Sequence, residues 1–299
     1  MNSVYMMLNN VQTNLLTWGD PFDSRNFDVI ICITGNPGIP HFYEEFASEL
    51  NKITRLPVCV IGQAGHIEVP EQRSNVLEQQ EHLFSLEGQV QHKLDLINKI
   101  DKSCRIHFIG HSIGAWLILE AIKKQEPLMD RVSSINLLFP TIQKMAESPN
   151  GKYLNCIVRR LHSIAILLFT LVHILPDAVK QFLVSLYLKW NSLPPHFNER
   201  ILKYLRPKVA EKVLYMAYDE MDKVVTLDRE ALDRSKHVTS VLYSDRDGWV
   251  PVNYLEDLRQ FQPELEMKQV SINHTFVLKS SERVAELVSE FMKPKIKSN

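Results

Sequence analysis

The segment Gly110-His111-Ser112-Ile113-Gly114 constrains this chain most. It lies between an apolar, strand-like run, RIHFI at 105–109, and a helical pattern, AWLILEAIKK at 115–124. A strand that gives way to a helix within so few residues needs a sharp turn. Such a turn strains the backbone of its central residue and lifts that side chain above the end of the sheet. Glycine is required on either side because a Cβ there would collide with the neighbouring helix and strand. Ser112 is therefore the candidate nucleophile, and the N–H of Ile113, at the start of the helix, is a candidate donor to a developing oxyanion.

The rest of the chain repeats the same alternation. FDVIICIT (27–34), LPVCVIG (56–62), RIHFIG (105–110) and SSINLLFP (133–140) read as strands. Helical patterns separate them, with apolar residues at Phe42, Tyr43, Phe46 and Leu50 and again at Leu86, Val90, Leu94 and Ile97. Strand runs that are apolar throughout, alternating with helices, predict an α/β fold with a mostly parallel sheet covered on both faces. After Pro140 the rhythm stops for about a hundred residues, far longer than such connections need. We read residues 1–140 as the first part of the core, 141–236 as an inserted helical cap and 237–299 as the rest of the core. The last part carries HVTSVLYS, MKQVSI and a helix marked by Val284, Leu287, Val288 and Phe291, and its basic tail KPKIKSN is expected to be solvated and frayed.

A serine hydroxyl needs a base, and the base needs an orienting acid. In a sheet of this kind they follow the serine in the order acid, then histidine, on loops after late strands. His274, in NHTF, is placed for the base. SDRDGWVP offers Asp245 and Asp247, and Asp247 lies in the turn, beyond the strand end, where an acid can reach the imidazole. Asp245, nearer the strand, reads as a brace for the loop. A second oxyanion donor is expected from TGNPG, where Pro37 has no N–H and Asn36 does. His66, in GQAGH, reads as a structural histidine. No cluster has metal-ligand spacing, and the chemistry calls for no metal or cofactor. Lys plus Arg is 34 against 35 for Asp plus Glu, without a basic block, so nucleic acid is not an expected partner. The four cysteines show no CxxC spacing and read as reduced, buried thiols in a cytosol-facing protein. The N-terminus shows no secretory pattern, and no apolar run reaches the length of an ordinary spanning helix.

The stretches TGNPGIPHFYEEF, GQAGH, SLEGQVQHK, IGHSIGAW, LLFPTIQKMAESPNGK, DGWVP and NHTF closely resemble the lipid droplet-associated hydrolases, a branch of the α/β-hydrolases. The resemblance covers nearly the whole chain. It implies an α/β-hydrolase fold with nucleophile Ser112, acid Asp247 and base His274. It further implies residence on lipid droplets and the endoplasmic reticulum and a role in sterol ester and neutral lipid turnover. A hydrophobic carboxylic ester, a sterol ester foremost, is then the expected substrate, cleaved through an acyl-enzyme; acyl transfer to an alcohol would use the same residues. The alternative is a surface scaffold on droplets or the endoplasmic reticulum with weak or vestigial activity, against which the complete Ser/Asp/His set argues.

Residues 154–190 admit two readings. From Leu161 to Leu175 the chain is almost wholly apolar, Pro176 interrupts it, and a second apolar stretch runs from Phe182 to Trp190. Fifteen helical residues span only about 22 Å, short of the roughly 30 Å hydrocarbon core of a bilayer. Composition alone fits a buried lid helix over the site as well as a hairpin dipping into one leaflet or a droplet monolayer. In the second reading Leu167, Leu168, Phe169 and Leu171 are the membrane-contact candidates, with Arg159, Arg160, Lys180 and Lys189 at the headgroups. The resemblance favours the anchor, and the two readings are compatible.

Overall fold

The computed structural model describes residues 1–67 and 75–297. Its centre is an eight-stranded sheet: β1 (Asn2–Leu8), β2 (Val11–Trp18), β3 (Asp28–Ile33), β4 (Val58–Ile61), β5 (Arg105–His111), β6 (Val132–Leu138), β7 (Thr239–Ser244) and β8 (Glu266–Val270), in the spatial order β1-β2-β4-β3-β5-β6-β7-β8. β2 pairs antiparallel with both β1 and β4, and every other pairing is parallel. The hairpin β1–β2 lies ahead of the first strand expected from sequence. Its two-residue turn, Asn9-Asn10, has both residues at positive φ, which asparagine tolerates and which matches the twist of paired strands.

Period-two alternation sorts the side chains of β3 between two cores. Val29, Ile31 and Ile33 join one and Ile30 and Cys32 the other, so the strand is apolar throughout because both of its faces are buried. Helices α1 (Glu44–Thr54), α2 (Glu81–Phe84), α3 (Leu86–Lys99) and α4 (Ile113–Lys124) lie between the strands up to β6. The face with Ile31 is covered by α3 and α4, and α1 covers the face with Ile30.

Between β6 and β7 the chain forms α5 (Pro149–Tyr153), α6 (His162–Ile174), α7 (Asp177–Trp190), α8 (Phe197–Tyr204), α9 (Pro207–Lys223) and α10 (Arg229–Ser235). The last helix, α11 (Ser281–Met292), joins α1 on the second face. The chain end is not frayed as far as it is described. The carbonyl of Lys295 accepts a hydrogen bond from Arg105, and the N–H of Lys297 donates to Asp28 at 3.0 Å; residues 298–299 lie outside the described chain.

Helices α6 and α7, broken at Pro176, form the apolar hairpin. The buried-lid reading fails on exposure, because no residue of α6 is buried and only Val184 and Leu188 of α7 are. Those two pack with Phe197 of α8 and meet the core at Phe42 and Leu278. Ile164, Leu167, Leu168 and Leu171 face outward, as do Phe182, Leu186 and Trp190, the last 85% exposed; Phe169 is half-buried. Of the four headgroup cations, Arg160 and Lys189 are exposed. Arg159 instead makes a two-pronged ion pair with Asp222, and Lys180 pairs with Asp177. Among the described residues no single helix is long and apolar enough to cross a membrane. Cys156, read as buried, is exposed, whereas Cys32, Cys59 and Cys104 are buried.

Candidate active site

Ser112 is the residue between β5 and α4, with φ 54° and ψ −122°. An L-residue at such a φ costs about 1–3 kcal/mol and persists only where its surroundings hold it. Here they do. Its N–H donates to the Leu138 carbonyl of β6, and its own carbonyl accepts from Ala115 and Thr141. A Cβ on Gly110 would lie 2.7 Å from the Ala115 backbone, and one on Gly114 would lie 2.4 Å from the Ile33 carbonyl oxygen, so α4 can approach β3 and β5 only over glycine.

The other two side chains arrive from the loops after β7 and β8. His274 Nε2 lies 3.0 Å from Ser112 Oγ, and His274 Nδ1 lies 2.7 Å from Asp247 Oδ2. An ionised carboxylate only accepts, so the imidazole proton sits on Nδ1 and Nε2 is left to accept from the serine hydroxyl. The second oxygen of Asp247 accepts from the N–H groups of Trp249 and Val250 at 2.8 and 3.1 Å. Burial acts to raise the Asp247 carboxyl, but the bonds from His274 and the two backbone donors outweigh it and hold its pKa below the usual aspartate value. Asp245 is exposed on the same loop and makes no such contact among the described residues.

Three further residues tie the loops together, and sequence reasoning missed them. Gly35 N–H donates to the Tyr43 hydroxyl at 2.9 Å, Tyr43 lies 2.6 Å from His111 Nδ1, and His111 Nε2 lies 2.9 Å from the His274 carbonyl oxygen. A carbonyl cannot donate, so Nε2 carries the ring proton of His111 and the tyrosine hydroxyl donates to Nδ1. Burial, reinforced by the cost of placing a second positive imidazole beside that of His274, drives the His111 pKa down to about 3, which keeps the ring neutral. The third is Asn150, at the end of LLFPTIQKMAESPNGK: its N–H donates to the Gly248 carbonyl next to Asp247. That signature was legible as a motif, though its contact with the acid loop was not.

The loop Thr34–Gly38 passes close to the serine, since a Cβ on Gly35 would lie 3.1 Å from Ser112 Cβ. The Asn36 N–H makes no hydrogen bond among the described residues, and Ile113 opens α4, where an N–H has no intrahelical acceptor. His66, read from the sequence as structural, is fully buried and accepts from Gly38 N–H at 3.0 Å. Among the described residues no group of three or more His, Cys, Asp or Glu side chains is disposed to hold a metal ion.

A strained serine at the end of β5, in a sheet where β2 alone runs backwards, gives this chain the α/β-hydrolase fold. Solved structures share the architecture along nearly its whole length. A meta-cleavage product hydrolase from Pseudomonas fluorescens aligns with TM-score 0.66 at 15% identity, covering 98% of each chain. An esterase from Thermogutta terrifontis aligns with TM-score 0.65 at 15% identity, covering 99% of this chain and 100% of its own. The narrower affiliation comes from sequence: the family model of lipid-droplet associated hydrolases matches residues 27–277. The lipid droplet-associated hydrolase of Drosophila melanogaster is 37% identical over 98% of both chains, and that of Homo sapiens is 30% identical over 92% of this chain and 89% of its own. The chain belongs to the lipid droplet-associated hydrolase family.

Proposed function

We propose that this chain is a serine hydrolase that cleaves hydrophobic carboxylic esters at a lipid surface through an acyl-enzyme. The observation that carries the reading is His274 bridging Ser112 and Asp247 at 3.0 and 2.7 Å. Ser112 Oγ attacks the ester carbonyl as His274 Nε2 takes its proton, and Asp247 holds the imidazole in the required tautomer and stabilises the imidazolium. The carbonyl oxygen turns negative facing the N–H groups of Asn36 and Ile113. Collapse of the tetrahedral intermediate expels the alcohol, which takes its proton from His274. Water, deprotonated by the same nitrogen, then releases the acid and restores the serine.

A sterol ester is the favoured substrate, and cholesterol and neutral lipid homeostasis the corresponding role. The names of the relatives and the outward apolar face of α6 and α7 support attachment to the lipid droplet monolayer; residence on the endoplasmic reticulum as well, facing the cytosol, is part of the same proposal. Burying three leucine side chains is worth several kcal/mol, enough for reversible docking on a hydrocarbon surface. Fluorophosphonate labelling of wild type and Ser112→Ala tests the chemistry. Label on wild type that disappears in Ser112→Ala is the expected result, and absence of label with and without droplets would leave the surface-scaffold reading in its place.

A further inference from the structure

Helix α9 carries a buried face that includes Val209, Val213 and Met216, and the next position on that stripe is Glu220. Its side chain is 1% exposed. A carboxyl at that depth is expensive unless something needs it. Its hydrogen-bond partner is not a cation but the Asn36 amide, whose Nδ2 lies 2.7 Å from Glu220 Oε1 and 3.2 Å from the Val213 carbonyl oxygen. A backbone carbonyl can only accept, so the amide must face α9 with its NH2, and its two hydrogens meet two acceptors of one helix. Burial pushes the Glu220 carboxyl up to about 8, so near neutral pH it accepts from Asn36 as an uncharged acid.

We infer that Glu220 is a positioning residue, holding the Asn36 side chain so that the N–H of the same residue points at the oxygen that turns negative on the substrate. The inference rests on the serine-hydrolase reading above. The loop is pinned in four places. Tyr43 holds Gly35 N–H, His66 holds Gly38 N–H, and Gln63 donates to the Thr34 carbonyl at 2.6 Å. Those three anchors belong to the core, whereas the grip on Asn36 comes from the insertion. Asn36 is thus the point where a helix of the insertion reaches the oxyanion site. A donor that strays by an ångström loses most of its value, because the stabilisation depends on its being aimed before charge develops.

A purely structural role and a positioning role separate cleanly by substitution. Glu220→Leu replaces a buried carboxyl with an apolar group of similar size, so Tm should hold or rise. The kcat on p-nitrophenyl butyrate and the rate of fluorophosphonate labelling of Ser112 should nevertheless fall by about 10- to 100-fold, with KM little changed. Glu220→Gln keeps the acceptor and should recover most of the rate. Asn36→Ala keeps the backbone N–H but frees the loop. It should lose as much as Glu220→Leu, and the double variant should lose no more than either. Wild-type rates in Glu220→Leu, or in Asn36→Ala should the leucine variant not fold, overturn the inference and leave the hydrolase reading standing. A wild-type protein that takes no label overturns both.

Discussion

The loops at the end of the sheet and the α6–α7 hairpin invest apolar residues in opposite ways. Around Ser112 the apolar side chains are packed inward from both faces of the sheet, and the polar groups that remain are joined in short chains such as Gly35–Tyr43–His111–His274. In the hairpin the density of apolar residues is higher still, yet Ile174, Phe182 and Trp190 are 70, 67 and 85% exposed. The first region is stable in water by excluding it. The second leaves a contiguous greasy face that water penalises, the signature of an interaction surface rather than of a core. Apolarity along a sequence therefore does not by itself mean burial. What differs is whether polar residues line the other side of the helix: α9 has them, and α6 hardly does.

The proposed function places chemistry in one region and attachment in the other, so variants should separate them. Ser112→Ala should lower ester hydrolysis by at least about 10⁴-fold while droplet binding and Tm stay as in wild type. Turnover in that variant above about a hundredth of the wild-type rate would break the proposal at its root. Asp247→Asn should lower kcat by about 10³- to 10⁴-fold, because an amide no longer enforces the Nδ1–H tautomer of His274. In a flotation assay with phospholipid-coated triolein droplets, changing Leu167, Leu168 and Leu171 together to serine should weaken binding by about 10²-fold or more. Labelling of Ser112 in that variant should stay within about twofold of wild type; a collapse of labelling would show that the hairpin also shapes the site.

The smallest effect concerns acid–base linkage. The folded Glu220 pKa lies near 8, above the ordinary value of 4.5, so between those values the folded state binds more protons than the unfolded one. Stability from this group is complete below about pH 4.5 and is lost as pH rises toward 8. Chemical denaturation at pH 5 and pH 8 should show Glu220→Gln gaining on wild type only at the higher pH, by on the order of 1 kcal/mol or a few. Asp247 runs the other way. Its folded pKa is depressed, so its contribution is full above the ordinary aspartate range and is lost as pH falls through the folded value.

The roles proposed for Ser112, His274 and Asp247 could be read from sequence because each follows a strand, and a strand end is a local feature. The β1–β2 hairpin was overlooked although its signal was present: Asn9-Asn10 is a pair of residues tolerant of positive φ between two alternating segments. Glu220 was not legible. Helical periodicity puts it on the inner face of α9, but its partner is 184 residues away, and no local pattern says that a buried acid will meet an amide. Lys93 presents the same problem. A helix pattern identifies its face, not the side chains of Gln63 and Gln89 that accept from its buried amine.

The contact from Asn150 to the Gly248 carbonyl bears on how this chain can be cut. Asn150 opens the insertion and braces the turn that carries Asp247, while Glu220, near the end of the insertion, grips Asn36. The hairpin lies between them and touches neither turn through a hydrogen bond among the described residues. The insertion is accordingly not a module: trimming back to a bare sheet-and-helix core would remove supports of the candidate site along with the apolar hairpin. Within the hairpin only α6 buries none of its residues, so a version with less exposed apolar surface should be sought by changing the outward side chains of α6 while keeping Val184 and Leu188 of α7, which pack on Phe197.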